Sequence, residues 1–222
     1  MDLVRRATTH AALGDETRLR IVDALWLNDM SPLDLRRLAG VDSNLMAHHL
    51  TVLQDTGLIK RSVSAGDRRR RYVIANHDRI APFVDPEPLA AGSVLFICTH
   101  NSARSQFAEA LFNTRSRLSA QSAGLHPSAT VHPKAIKVAL EHGIDLSSAR
   151  PKPYSAVKTS PDLVVSVCDR ACEATIPFRA RRLHWSVPDP VDDARLNGFR
   201  SAFEEISNRV GQLTEAIQSE EP

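Results

Sequence analysis

Scarcity narrows this sequence before any motif does. Only three cysteines occur in 222 residues, Cys98, Cys168 and Cys172, all in the second half. An odd, sparse set excludes a disulfide framework and fits thiol chemistry in a reducing, cytoplasmic setting. Long apolar runs are missing too. No stretch of eighteen or more apolar residues occurs, so no membrane-spanning helix and no membrane partner are expected. The opening Met1-Asp2-Leu3-Val4-Arg5-Arg6 has no apolar region behind it, so no signal peptide is expected. Nor does charge of one sign dominate: the formal net charge is +2. Residues 1–85 hold 13 Lys/Arg against 11 Asp/Glu, and residues 86–222 hold 15 of each. Any nucleic-acid contact therefore has to be a local patch in the first half, not a global field. What is present, 42% hydrophobic and 24% charged residues, is a globular composition of one large or two small domains.

The stretch that organises the second half is Val94-Leu95-Phe96-Ile97-Cys98-Thr99-His100-Asn101-Ser102-Ala103-Arg104-Ser105-Gln106. An apolar strand ends at Cys98, a polar loop follows, and a helix with Phe107, Ala108, Ala110, Leu111 and Phe112 takes over. Five residues between Cys98 and Arg104 let the loop wrap with its N–H groups inward, a nest that suits a tetrahedral oxyanion at a helix N-terminus. The oxyanion-binding set is thus Thr99, His100, Asn101, Ser102, Ala103, Arg104 and Ser105. Such a field favours the thiolate form of a cysteine, and the planar fork of Arg104 matches two oxygens of the anion. The plainer alternative is a buried strand-end cysteine before an ordinary helix start.

In the first half, Thr8 to Leu27 has a helical apolar pattern interrupted near Gly14-Asp15. Ser31-Pro32 opens a second segment with Leu33, Leu35, Leu38 and Ala39, closed by Gly40. Asp42 or Ser43 caps a third, with Leu45, Met46, Leu50, Val52 and Leu53 as its inner face. Two short helices joined by a tight turn form a helix-turn-helix pattern. Leu58–Val63 then reads as a strand, Ser64-Ala65-Gly66-Asp67 as a turn, and Arg69–Ile74 as a returning strand. Arg68, Arg69, Arg70 and Arg71 suit phosphate contact through displacement of counterions, although charged edge strands also occur without a ligand. Ser43, Asn44, His48, His49 and Thr51 are expected to be exposed and to face base edges in a major groove of double-stranded DNA. Adjacent histidines on a helix point about 100° apart, so His48 and His49 chelate poorly and no metal is expected.

Pro82, Pro86 and Pro88, with Asp85 and Glu87, make a semi-rigid connector, which places a boundary near Asp85: residues 1–85 and 86–222. Beyond it, strands at Ser119–Ser122, Asp162–Val167 and Leu183–Val187 alternate with helices, the last with a core stripe of Phe199, Phe203, Ile206, Val210, Leu213 and Ile217. This order implies a four-stranded parallel sheet flanked by helices, with chemistry at the carboxyl ends of its strands. Asp189, in Val187-Pro188-Asp189-Pro190, follows such an end and can act as a general acid, or it is simply a turn residue. Cys168 and Cys172 follow the third strand in a loop, as a thiol relay or as inert filler.

Two resemblances add to this reading. Leu13-Gly14-Asp15-Glu16-Thr17-Arg18-Leu19-Arg20-Ile21-Val22, His48-His49-Leu50 and Leu53-x-x-x-Gly57-Leu58-Ile59 are similar to ArsR-type winged helix-turn-helix repressors over roughly residues 8–78. That resemblance implies a homodimer on a DNA operator, released by an inducer. The metalloid site that many members carry before the recognition helix is missing, because Ser31 to Gly40 contains no cysteine. Residues 93–218, through Cys98-Thr99-x-Asn101-Ser102-x-Arg104-Ser105, resemble low-molecular-weight tyrosine phosphatases and the arsenate reductases of the same fold. His100, Gln106, Pro151-Lys152-Pro153, Cys168-x3-Cys172 and the aromatic-free Val191-Asp192-Asp193 lean toward the reductases.

The resemblance implies Cys98 as nucleophile on arsenate, Arg104 as anion clamp, Asp189 as acid, and Cys168 and Cys172 as a redox relay. No bound cofactor is implied, only an external thiol reductant such as thioredoxin or mycothiol. A phosphatase using Cys98, Arg104 and Asp189 alone, and a sensor in which the thiol-bearing half governs the thiol-free one, remain open alternatives.

Overall fold

The computed structural model describes residues 3–193 and 195–218. The chain divides into two compact units: residues 3–64 with 68–87, and residues 88–218 with 65–67.

In the first unit, α1 (Leu3–Leu13) and α2 (Glu16–Leu27) are separated at Gly14-Asp15. Asp15 caps α2 by accepting from the Arg18 N–H at 3.0 Å. α3 (Pro32–Ala39) starts at the Ser31 cap with proline in its first turn and stops at Gly40, whose φ of 67° is the left-handed conformation that glycine adopts without strain. α4 (Ser43–Asp55) follows, capped by Asp42. β1 (Ile59–Val63) and β2 (Arg71–Ala75) then pair as an antiparallel hairpin. A four-residue helix, α5 (His77–Ile80), and a 3-10 turn at Ala81–Phe83 finish the unit. Its core is apolar, built on Ile21, Leu25, Leu35, Leu50, Leu53 and Ile80.

Three expectations change here. Leu45 is exposed, and His49 takes an inward position beside Met46, Leu50 and Leu53. On a 3.6-residue period, 46, 49, 50 and 53 share one face, which Leu45 misses. The returning strand begins at Arg71, because Arg68 and Arg69 are used in the turn.

The second unit opens with β3 (Leu89–Ala90) and β4 (Ser93–Cys98), followed by α6 (Arg104–Arg115) and β5 (Ser119–Gly124). Then come α7 (Pro133–Glu141), β6 (Leu163–Ser166), α8 (Asp169–Glu173), β7 (Arg181–His184), α9 (Leu196–Ala216) and β8 (Ile217–Gln218). The main sheet has the order β5-β4-β6-β7 with every neighbouring pair parallel. β3 and β8 form a separate parallel pair. Parallel strands need covering on both faces, which is why β4 and β6 are almost wholly apolar and buried. α9 buries Phe199, Phe203, Ile206, Val210 and Leu213 as one stripe, while Ile217 belongs to β8.

Strand limits also shift. β5 continues through Ala123 and Gly124, and the last strand is Arg181–His184, earlier than the apolar run suggests. Cys168 and Cys172 are not in an irregular loop: Cys168 is the N-cap of α8, and Cys172 lies one turn on, its N–H donating to the Cys168 carbonyl. The result places Cys98, at the carboxyl end of the central strand β4, next to the ends of β5 and β6.

Candidate active site

The loop after Cys98 is held open by its own carbonyls. The carbonyls of Cys98, Thr99, His100 and Ser102 accept from the N–H groups of Leu125, His126, Ser128 and His132. Those of Asn101 and Ala103 accept from Gln106 Nε2 and the Phe107 N–H. With all six carbonyls turned away and satisfied, the loop amides are left to the concave side, at a helix start where Ala103 has no side chain able to cap. Asn101 takes φ = 49°, a left-handed value that asparagine tolerates better than most residues. Gly124 makes this possible, since a Cβ there would lie 3.0 Å from Asn101 atoms.

Around the thiol the donors converge. The Asn101 N–H donates to Cys98 Sγ at 3.1 Å, and Ser105 Oγ lies 3.1 Å from the same sulfur. Because Asn101 Nδ2 donates to Ser105 Oγ at 2.8 Å, the serine proton is directed at the sulfur. Both contacts hold the sulfur at the floor of the loop. The network continues outward: Asn101 Nδ2 also donates to Ser122 Oγ at 2.7 Å, and the Ser122 hydroxyl donates to Glu109. Burial is the main reason that the Glu109 carboxyl is pushed above its ordinary range, against the pull of Ser122 and Lys152. Neither Glu109 nor Ser122 carries a signal in the sequence; the pairing of β4 with β5 brings Ser122 to the loop, where it meets Glu109 of α6.

Arg104 is buried, with one guanidinium nitrogen donating to the Val187 carbonyl at 2.9 Å and another to Asp189 Oδ2 at 2.6 Å. Val187 and Asp189 follow β7, so strand order alone brings residues 83 and 85 positions away onto Arg104. Asp189 also accepts from the Val191 N–H at 3.1 Å, which holds its carboxylate at the mouth. His132 caps α7, and its pKa is pushed down by burial first and Lys134 second, against the pull of Asp189.

Cys168 reaches the same loop from β6. Its sulfur lies 3.5 Å from Thr99 Oγ1, and it is buried, whereas Cys172 is partly exposed. Burial first, then the nearby Cys98, push the Cys168 thiol above its ordinary pKa. No group of three or more His, Cys, Asp or Glu side chains among the described residues could hold a metal ion. Cys98, Arg104, Asp189 and Cys168 thus meet at one end of the sheet, with Thr99, Asn101 and Ser105 in contact with them. His100 is exposed.

The residues expected to read DNA lie in the first unit. Ser43, Asn44, His48 and Thr51 are exposed on α4, and Arg68, Arg69, Arg70 and Arg71 are exposed at the hairpin. His49 corrects the expectation: it is 4% exposed, with Nδ1 3.4 Å from Arg18 and 3.7 Å from Asp15. Side chains about 100° apart cannot both face outward on this helix, and the apolar face claims His49.

Residues 93–222 match the model of the low molecular weight phosphotyrosine protein phosphatase family. Similar curated relatives include an arsenate reductase of Bacillus cereus strain G9842, 33% identical over 129 residues that span 55% of this chain and 94% of that protein. A glutaredoxin arsenate reductase of Synechocystis is 33% identical over 131 residues, 56% of this chain and 97% of that protein. Among solved structures, an arsenate reductase of Archaeoglobus fulgidus aligns with a TM-score of 0.50 at 30% identity, covering 55% of this chain and 98% of its own. A family match over more than half the chain coincides with the segment that builds the cysteine loop. Through residues 93–222, the chain belongs to the low molecular weight phosphotyrosine protein phosphatase family.

Proposed function

We propose that this chain joins an ArsR-type winged helix-turn-helix DNA-binding domain to a thiol-dependent arsenate reductase. The observation that carries the enzymatic half is the second thiol. Cys168 sits 3.5 Å from Thr99 in the oxyanion loop of Cys98, a placement that phosphoester hydrolysis does not require.

The loop amides and Arg104 bind arsenate, which draws the guanidinium fork from Asp189. The Cys98 thiolate attacks arsenic, forming an S–As bond, while Asp189 protonates the departing oxygen as water. Cys168 then attacks Cys98 Sγ. The S–As electron pair passes to arsenic, arsenic(V) becomes arsenic(III), and arsenite leaves behind a Cys98–Cys168 disulfide. Cys172 attacks Cys168 next and frees Cys98, and an external dithiol such as thioredoxin, or a small thiol such as mycothiol, reduces the Cys168–Cys172 pair. Burial first and the nearby Cys98 second hold the Cys168 thiol above its ordinary pKa, which suits a thiol that acts after Cys98. The test is arsenite release with a thioredoxin or mycothiol supply. Wild type is expected to turn over and Cys98→Ser to fall by roughly 10⁴-fold or more; equal rates refute the reading.

A phosphatase reading is favoured by the family match and by the fact that Cys98, Arg104 and Asp189 suffice to form and hydrolyse a phosphocysteine. Aryl phosphate and arsenate assayed side by side separate the two. The DNA-binding half rests on α3, the turn at 40–42, α4 and an arginine-bearing hairpin. It acts as a homodimer on an operator, with exposed α4 residues at base edges and arginines on phosphates. Since that unit holds no cysteine, oxyanion or arsenite capture at Cys98, Cys168 and Cys172 would be its inducer signal. Operator affinity that is the same with arsenate, arsenite and phosphate, at fixed salt, excludes this coupling.

A further inference from the structure

The steps above leave one buried phenol unused. Residues 152–154 run along the carboxyl edge of the sheet beside the oxyanion loop. The Lys152 N–H donates to Asn101 Oδ1 at 2.9 Å, the Lys152 carbonyl accepts from the Gly124 N–H at 2.8 Å, and Pro153 pairs in parallel with Gly124. Gly124 is in register with Cys98 on the adjacent strand. Tyr154 opens the 3-10 turn that follows, so the residue is tied through Asn101 and Gly124 to the loop that surrounds the nucleophile. Its ring packs edge-on against Phe178 with centroids 6.0 Å apart, which restricts its rotation.

The Tyr154 hydroxyl is shielded from solvent and has no hydrogen-bond partner among the described residues. Buried tyrosine hydroxyls almost always find one, because desolvating the group without compensation is costly. Burial first, then Cys168 and Cys98, push its pKa upward, so the group remains a protonated donor at neutral pH. A donor without an internal acceptor, in the electrostatic range of both thiols, is suited to an acceptor that arrives with the substrate.

We infer that Tyr154 is a further substrate-binding residue, whose hydroxyl donates a hydrogen bond to an oxygen of the tetrahedral oxyanion held over Cys98. The inference rests on the proposed oxyanion site but not on the redox step. It adds a neutral donor to the loop amides and the charged fork of Arg104, and it comes from a segment that the Cys-x5-Arg spacing does not contain.

The experiment titrates inorganic phosphate into the reduced full chain, wild type and Tyr154→Phe, and records thermal unfolding of both. The expected result is about 10-fold weaker phosphate binding with a Tm that is unchanged or raised, since phenylalanine removes a hydroxyl that no internal partner satisfies. Arsenate KM rises by a similar factor with kcat little changed. Unchanged phosphate affinity overturns the inference, even if arsenite release slows, because the hydroxyl would then serve Cys168. A Tm that falls together with affinity also overturns it, since the hydroxyl would be structural. Wild type that binds phosphate but releases no arsenite defeats only the reductase reading, and the comparison of the two proteins still decides Tyr154.

Discussion

The two units place their polar side chains differently. In residues 3–87 the buried polar groups are few and scattered, Thr9, Asp29, His49 and Ser64, while Ser43, Asn44, His48, Thr51 and the four arginines proposed to meet DNA are exposed. In residues 88–218, Thr99, Asn101, Arg104, Ser105, Gln106 and Ser122 are buried together around Cys98, each engaged by a neighbour. Burying polar groups is costly unless every one is satisfied. A cluster of this kind persists where donors must be fixed in advance around a developing charge. Exposed polarity has the opposite logic: its partners are water until phosphate or a base edge replaces them. Burial thus separates the exposed surface proposed to meet DNA from the enclosed cluster around Cys98.

The contrast can be broken by substitution, and the largest effect belongs to the pocket. Asp189→Asn keeps the shape but removes the proton donor, and arsenite release should fall by about 10²–10⁴-fold. Loss of less than a factor of ten in steady-state assays would remove Asp189 from the chemistry and leave it only a partner of Arg104.

An intermediate effect tests whether neighbouring histidines divide as burial indicates. His49→Ala should destabilise the first unit by roughly 1–3 kcal/mol, because it empties an inward position and strips a contact from Arg18. His48→Ala should stay within about 0.5 kcal/mol of wild type in stability while weakening operator binding. Urea unfolding paired with DNA titration reads both, and equal stability losses would contradict the division.

The smallest effect concerns Glu109. Its native carboxyl is raised above the ordinary 4.5, chiefly by burial, so the native state holds a proton that the unfolded chain gives up first. Its contribution to stability is fully present below pH 4.5 and is lost as pH rises through the native value. Glu109→Gln should therefore gain stability relative to wild type as pH climbs through that window. Urea midpoints at a series of pH values check this, and a difference that is flat with pH would show that Glu109 is not the titrating group.

Local periodicity made much of this molecule legible. The α9 stripe, the caps at Asp15 and Ser31, the left-handed stop at Gly40 and the strand–loop–helix around Cys98 all depend on residues within a few positions of one another. Where competing signals were local and weak, the boundaries slipped. The apolar Trp185-Ser186-Val187 continues past β7, whose hydrogen bonds end at His184, and the arginine run is shared between turn and strand.

The sequence by itself therefore determined the alternating architecture of the second half, its nucleophile loop and the helix-turn-helix order of the first. Those follow from side-chain spacing and backbone preference, which act over one turn or one strand. Only the tertiary structure decided that Asp189 meets Arg104, that Cys168 adjoins Thr99, that His49 turns inward, and that Ser122, Glu109 and Tyr154 stand around the loop. Each of these depends on strand order and register or on which helix face is covered. Neither is encoded in spacing along the chain, because parallel pairing joins segments tens of residues apart.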